Sequence, residues 1–141
     1  MKISQTMLIE CFLRLSLSAG FLSAVADRLG IWPKKVSAWG NWENFVSYTK
    51  TLISFFPTKI IPAIGFVATV LEIVFAVLLL TNFKTILITK ASGFLLLLFA
   101  LAMSFSTSLK APLDYSVFCA SAAAFALCEI VSNRQKQNQV N

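Results

Sequence analysis

Four long apolar segments, separated by shorter polar ones, dominate the pattern of this chain. They cover residues 6–26, 60–81, 86–106 and 113–131. Each is long enough to cross about 30 Å of hydrocarbon. Runs such as Leu95 to Phe99 do not alternate, and backbone groups in lipid must be satisfied internally, so the segments predict helices rather than strands. We therefore expect an all-α, polytopic membrane protein, with one domain over 1–141, an antiparallel four-helix transmembrane bundle and a polar tail over 132–141.

The connection between the first two spans is long and predicts an amphipathic interfacial helix over residues 42–55. Its apolar positions recur at helical spacing: Trp42, Phe45, Val46, Thr49, Leu52, Ile53 and Phe56. Asn41 is suited to cap this helix and Pro57 to end it. Two hypotheses stay open, an anchor lying flat on the membrane and a lid folded across the mouth of the bundle. The same connection holds the chain's three tryptophans, which are typical of an interfacial aromatic belt: Trp32, Trp39 and Trp42.

Composition and charge exclude several other classes of protein. Of the 141 residues 57% are apolar and 13% are charged, against about 25% charged residues in soluble domains. The formal charge of +6 comes from cations that flank the apolar runs, so the expected partner is the lipid bilayer and not a nucleic acid. The chain has no histidine, which excludes histidine-based haem, metal and general-base sites. Its three cysteines form no CxxC motif. We predict no metal site and no catalytic residue.

Charged side chains inside the spans are the candidate functional residues, because each costs about 2.5–3.5 kcal/mol there. Counting about 1.5 Å per residue from the span centres places Arg14 and Glu72 near the midplane, at one depth on antiparallel helices. We therefore expect Arg14 to face Glu72. By the same count Glu10, Lys90 and Glu129 lie roughly 9–10 Å from the midplane, on the side of the termini.

Together these residues form a predicted polar cluster in one half of the membrane: Glu10, Arg14, Glu72, Lys90 and Glu129. One hypothesis is a salt-bridge network that fixes helix register. The other is a pocket, open to the side of the termini, that binds a quinone headgroup, a small anion or a partner's residues.

Small residues four apart also predict close helix contacts: Ser16 with Gly20, Ala19 with Ser23, and Ala120 with Ala124.

Four segments of the chain resemble the DoxX family of small integral membrane proteins, in order and across nearly the whole length. They are Leu13-Arg14-Leu15 with 18–23 and Asp27-Arg28, the loop 39–45, Leu71-Glu72, and 111–118. The resemblance implies a four-helix protein of the cell (inner) membrane with cytoplasmic termini. It also implies that Arg14 and Glu72 match the family's arginine in span one and glutamate in span two. The family takes its name from a subunit associated with thiosulfate:quinone oxidoreductase.

The function expected from this resemblance is that of an accessory or anchoring subunit in a redox-linked, quinone-interacting complex, with a redox enzyme subunit as partner. A small transporter or channel subunit is an alternative, and it would need a homo-oligomer because one bundle of four helices is thin. A structural membrane scaffold is a third. Five Lys and Arg on the side of the termini against six on the other do not set the orientation by charge.

Overall fold

The computed structural model describes residues 5–140, which form helices and no strand. The helices are α1 (Gln5–Arg28), α2 (Trp42–Leu52), α3 (Ile61–Leu79), α4 (Thr85–Ser106), α5 (Lys110–Asp114) and α6 (Val117–Val140). Four of them, α1, α3, α4 and α6, are long and apolar enough to cross a membrane. The predicted all-α, four-helix fold is confirmed. The outermost residues of the predicted domain, 1–4 and 141, lie outside the described part of the chain.

The four long helices form a closed ring in which every neighbour is antiparallel. Helix α1 contacts α3 and α6, and α4 contacts the same two helices from the opposite corner. Short turns join α3 to α4 and α4 to α5, so these elements must pack beside one another. We call the end of the bundle where α1 begins and α6 ends the terminal end, and the opposite end the α2 end.

Contacts between α1 and α3 fix how far one helix is shifted along the other. The Ser18 hydroxyl donates to the carbonyl of Ala76 at 2.9 Å, which places these two residues at one level. Glu72 lies four residues before Ala76 and is therefore level with Leu22, four residues after Ser18. Arg14 is then roughly 12 Å from the level of Glu72 along the axis, at 1.5 Å per residue. The predicted depths were counted from the midpoints of the apolar runs, and these midpoints contain no information on the shift between two helices.

Side chains fill the bundle closely in the half nearest the terminal end. A continuous core joins buried residues of all four long helices: Leu17, Phe21, Ala76, Leu79, Ile88, Ala124, Leu127 and Val131. Helices α4 and α6 approach closely where Gly93 meets Phe125, since a Cβ at Gly93 would lie 2.9 Å from that ring. Ala124 is fully buried in this core. The four small residues predicted to make contacts on α1, by contrast, are exposed: Ser16, Ala19, Gly20 and Ser23.

The last helix differs from the predicted span over 113–131. The chain turns at Ser116, which has a left-handed φ of 55°, so α6 begins only at Val117. It then continues through the predicted polar tail to Val140. The tail stays helical beside α1, where Arg134 forms an ion pair with Glu10 at 3.1 Å. The prediction of a polar tail did not include this contact.

The segment between α1 and α3 folds back over the α2 end of the bundle. Asp27, near the end of α1, accepts hydrogen bonds from the Ser37 hydroxyl and from the backbone N–H groups of residues 38, 39 and 40. Gly30 is required in this loop, since its φ is +70° and a Cβ there would lie 2.9 Å from the carbonyl oxygen of Gly40. Asn41 caps α2 by accepting from the N–H of Asn44, as predicted.

Helix α2 packs against α3 and α4 and ends at Leu52, three residues before the predicted end. Phe45 and Thr49, on its inward face, are buried. This packing favours the hypothesis of a lid folded across the bundle mouth. Of the apolar positions that predicted an interfacial helix, Phe45 and Thr49 cover the interior of the bundle, whereas Phe56 is exposed.

Candidate functional site

A cavity of about 1290 Å³ occupies the half of the bundle at the α2 end. All four long helices and α2 contribute to its mainly apolar lining. Leu17 and Phe21 belong both to this lining and to the packed core, so they separate the cavity from the closely packed half. The pocket hypothesised from the sequence opened toward the termini, whereas this cavity lies at the opposite end.

An ion pair between Arg28 and Glu72 forms part of the cavity wall. Nη2 of Arg28 donates to Oε1 of Glu72 at 2.9 Å, and Nη1 donates to the other carboxylate oxygen and to the Thr69 hydroxyl. Arg28 is 4% exposed and Glu72 is 2% exposed. Two parallel hydrogen bonds between planar groups give the strong, directional form of this interaction. Both charges are thus compensated within the bundle.

Aromatic side chains of the α2 region cover this ion pair. The guanidinium of Arg28 lies 4.1 Å from the ring centroid of Phe45 and 5.4 Å from that of Trp39. Such stacking is favourable because the face of an aromatic ring is negative. Gly65 on α3 leaves room for Phe45, since a Cβ at that position would lie 3.1 Å from the ring. The lid therefore contacts the charged part of the cavity wall directly.

The predicted pair of Arg14 with Glu72 is wrong. Nε of Arg14 donates to Oε1 of Glu10 at 3.0 Å, one turn away on the same helix. Its Nη1 donates to the carbonyls of Leu79 at 2.9 Å and Thr81 at 2.7 Å. The last carbonyls of a helix have no partner within that helix, and in lipid no water replaces one. Arg14 therefore caps the C-terminus of α3, where the helix dipole also favours a cation.

The predicted five-residue cluster separates into different places. Glu10 and Arg14 join Arg134 in a group that we call the terminal triad, at the terminal end. Glu72 belongs to the cavity wall. Lys90 and Glu129 are exposed, and Glu129 accepts a hydrogen bond from the side chain of Asn133 at 3.0 Å. The prediction gave only the depth of Lys90 and Glu129 along the bundle axis. Depth does not determine which side of a helix faces the interior of the bundle.

Sequence reasoning missed Arg28 and Arg134, the partners of the two buried glutamates. Both were placed just outside a span because the apolar runs end at residues 26 and 131. Arginine has a long side chain whose charged end reaches well beyond its own backbone level. Arg28 uses this reach to meet Glu72, whose backbone is level with Leu22. A search for arginines one or two turns beyond each span could have found them.

The lining holds other polar groups besides the ion pair. Asp27 and Tyr48 both line the cavity. Burial, and secondarily the neighbouring phenol of Tyr115, raises the pKa of the Tyr48 phenol above its ordinary value. Of the predicted interfacial aromatics, Trp32 and Trp39 line the cavity, while Trp42 packs on Phe45 at a centroid distance of 5.3 Å. Indole Nε1 of Trp32 donates to the carbonyl of Ser23 at 3.1 Å.

The chemistry of this lining is suited to binding. Within residues 5–140 no group of three or more cysteine, aspartate or glutamate side chains is placed to hold a metal ion. Cys11 and Cys119 are exposed, and the Cys128 thiol donates to the carbonyl of Ile86. The residues instead form a mainly apolar chamber with one polar corner, made by Arg28 and Glu72, and Tyr48 adds a further polar group to the lining. Such chambers hold ligands by apolar contact and orient them by a few polar groups.

Comparison of the chain with protein-family models, with curated proteins and with solved structures gave no match. Membership of the DoxX family therefore stays a prediction from the segments of sequence that resemble it. The description of the fold and the cavity rests on the structure alone. The chain forms a four-helix, multi-pass membrane bundle that is closely packed at one end and contains a cavity at the other.

Proposed function

We propose that this chain is an integral-membrane accessory or anchoring subunit of a redox-linked complex, and that its cavity holds a lipophilic molecule of the quinone type. The observation that carries the proposal is the cavity of about 1290 Å³, with its apolar lining and one polar corner. Pockets for drug-sized ligands measure about 300–1,000 Å³. This cavity has room for a ring with an attached apolar chain.

Features of the polar corner favour binding over chemistry by the chain itself. Arg28 and Glu72 neutralise each other, so neither offers a free charge as an acid, a base or a nucleophile. Elsewhere in the lining, Tyr48 carries a neutral hydroxyl, a group that can donate to a carbonyl oxygen. The redox link comes from the sequence resemblance, which also supports a cell (inner) membrane location with the terminal end facing the cytoplasm. A redox enzyme subunit is the proposed partner.

The proposal is tested by titrating the purified protein, in lipid nanodiscs, with decylubiquinone and recording tryptophan fluorescence. Trp32 and Trp39 line the cavity, so a quinone bound there quenches them in a saturable way. Ala102→Phe places a ring in the cavity lining and should weaken binding at least tenfold. Ala122→Phe is the matched control, because Ala122 is exposed and does not line the cavity.

Circular dichroism verifies that both variants remain helical. Absence of saturable quenching in the unmodified protein, or equal binding by the two variants, would contradict the proposal. A pH- or anion-dependent flux in proteoliposomes, without quinone binding, would support the transporter alternative instead. The scaffold alternative predicts neither binding nor flux.

A further inference from the structure

The cavity reaches the surface of the bundle along one side of α1. Ser16, Gly20 and Ser23 line the cavity and are also exposed. Their spacing of four and three residues places them on one side of the helix. A Cβ added at Gly20 would meet no atom within 4 Å, so the space beside it is open. Because these residues lie within a helix apolar enough to span a membrane, an opening on this side of α1 is expected to face lipid.

The charges that line the cavity do not suit an anionic ligand. Among the described lining residues there is one cation, Arg28, against two carboxylates, Asp27 and Glu72. Both Nη atoms of Arg28 already donate to Glu72 and Thr69. The carboxylate of Asp27 already accepts hydrogen bonds from the loop that follows α1. An anionic headgroup would therefore enter next to two carboxylates and find no unpaired cation.

One buried hydrogen-bond donor in this corner has no acceptor. Nε of Arg28 makes no hydrogen bond within the described part of the chain, although the residue is 4% exposed. Buried N–H groups are almost always paired, because an unpaired one loses its hydration without compensation. Although Arg28 lines the cavity, its Nε atom is itself buried, so a molecule in the cavity meets other parts of this side chain. A neutral polar group, such as a carbonyl, adds no charge beside Glu72.

We propose that the cavity takes a neutral amphiphile, with a carbonyl group and an apolar chain, that enters from the bilayer through the opening along Ser16, Gly20 and Ser23. The carbonyl group lies beside the ion pair of Arg28 and Glu72, and the chain occupies the apolar part of the cavity. This inference rests on the proposed function, and it adds the charge class of the ligand and its route. It excludes fatty acids and anionic phospholipids as occupants.

The test uses two probes that share one apolar chain and differ in the charge of the headgroup, a bromostearic acid methyl ester and the same acid ionised at pH 8. Bromine quenches tryptophan on contact, and Trp32 and Trp39 line the cavity. In nanodiscs of neutral lipid, the ester should quench in a saturable way and bind at least tenfold more tightly than the acid.

Gly20→Leu fills the opening, where a side chain meets open space, and should abolish ester binding. Ala19→Leu is its matched control, because Ala19 is exposed but does not line the cavity. Ser16→Leu tests the same opening should Gly20→Leu fail to fold.

Equal binding of acid and ester would overturn the neutral ligand class while leaving a binding role intact. Unchanged ester binding by Gly20→Leu or Ser16→Leu would overturn the route. Binding of no probe at all, decylubiquinone included, would overturn the proposed function as well.

Discussion

Replacing Glu72 by leucine should destabilise the protein by about 3–5 kcal/mol, because it leaves the buried Arg28 guanidinium without its counter-charge. Both side chains are almost completely buried, and both Nη atoms of Arg28 point to groups on α3, one of them the Thr69 hydroxyl. The free energy of unfolding can be measured by titrating SDS into dodecyl maltoside micelles. Glu72→Gln, which keeps the shape and one acceptor, should cost less than Glu72→Leu.

A second substitution identifies the partner of Glu72. Arg28→Met combined with Glu72→Leu removes both charges and should recover most of the lost stability, since apolar side chains often replace a buried ion pair at little cost. Arg14→Met combined with Glu72→Leu should be additive, because the two sites share no partner. Recovery by Arg14→Met, and not by Arg28→Met, would contradict the observed pairing.

Replacing Arg14 by methionine should also destabilise the protein by about 3–5 kcal/mol, through a different mechanism. The substitution removes the donor to the carbonyls of Leu79 and Thr81, which close the C-terminus of α3. It also leaves Glu10 with only the half-exposed Arg134 as a counter-charge. The same SDS titration measures this loss.

Lys90→Met is the matched control for this prediction. Lys90 is also a cation within a span, but its side chain is exposed, so its replacement should cause no loss in the free energy of unfolding. An equal loss in the two variants would show that removing any intramembrane cation has the same effect. The capping role of Arg14 would then be contradicted.

The fold could be predicted from the sequence because it follows directly from the apolar runs. Their length and lack of alternation allow only membrane helices, and the helical spacing from Trp42 to Phe56, with Asn41 before it, identifies α2. The residues at which the helices begin and end were harder to predict. The turn at Ser116 and the extension of α6 through the polar tail depend on contacts with other helices.

The site was only partly predictable from sequence. The cost of burying charge correctly singled out Glu10, Arg14 and Glu72 as buried side chains. Their partners could not be derived, because pairing depends on the shift between α1 and α3 that Ser18 and Ala76 fix. The cavity itself had no signature in the sequence. It arises because the α2 end is covered by a lid while side chains fill the terminal end.

Native mass spectrometry of the protein, released from its own membranes in mild detergent, tests most directly whether the cavity holds a lipophilic molecule. The unmodified chain should carry one uncharged, chain-bearing molecule per copy, and Ala102→Phe should lose it while Ala122→Phe retains it. A mass equal to that of the bare chain, or the same bound molecules in all three proteins, would contradict a cavity that binds.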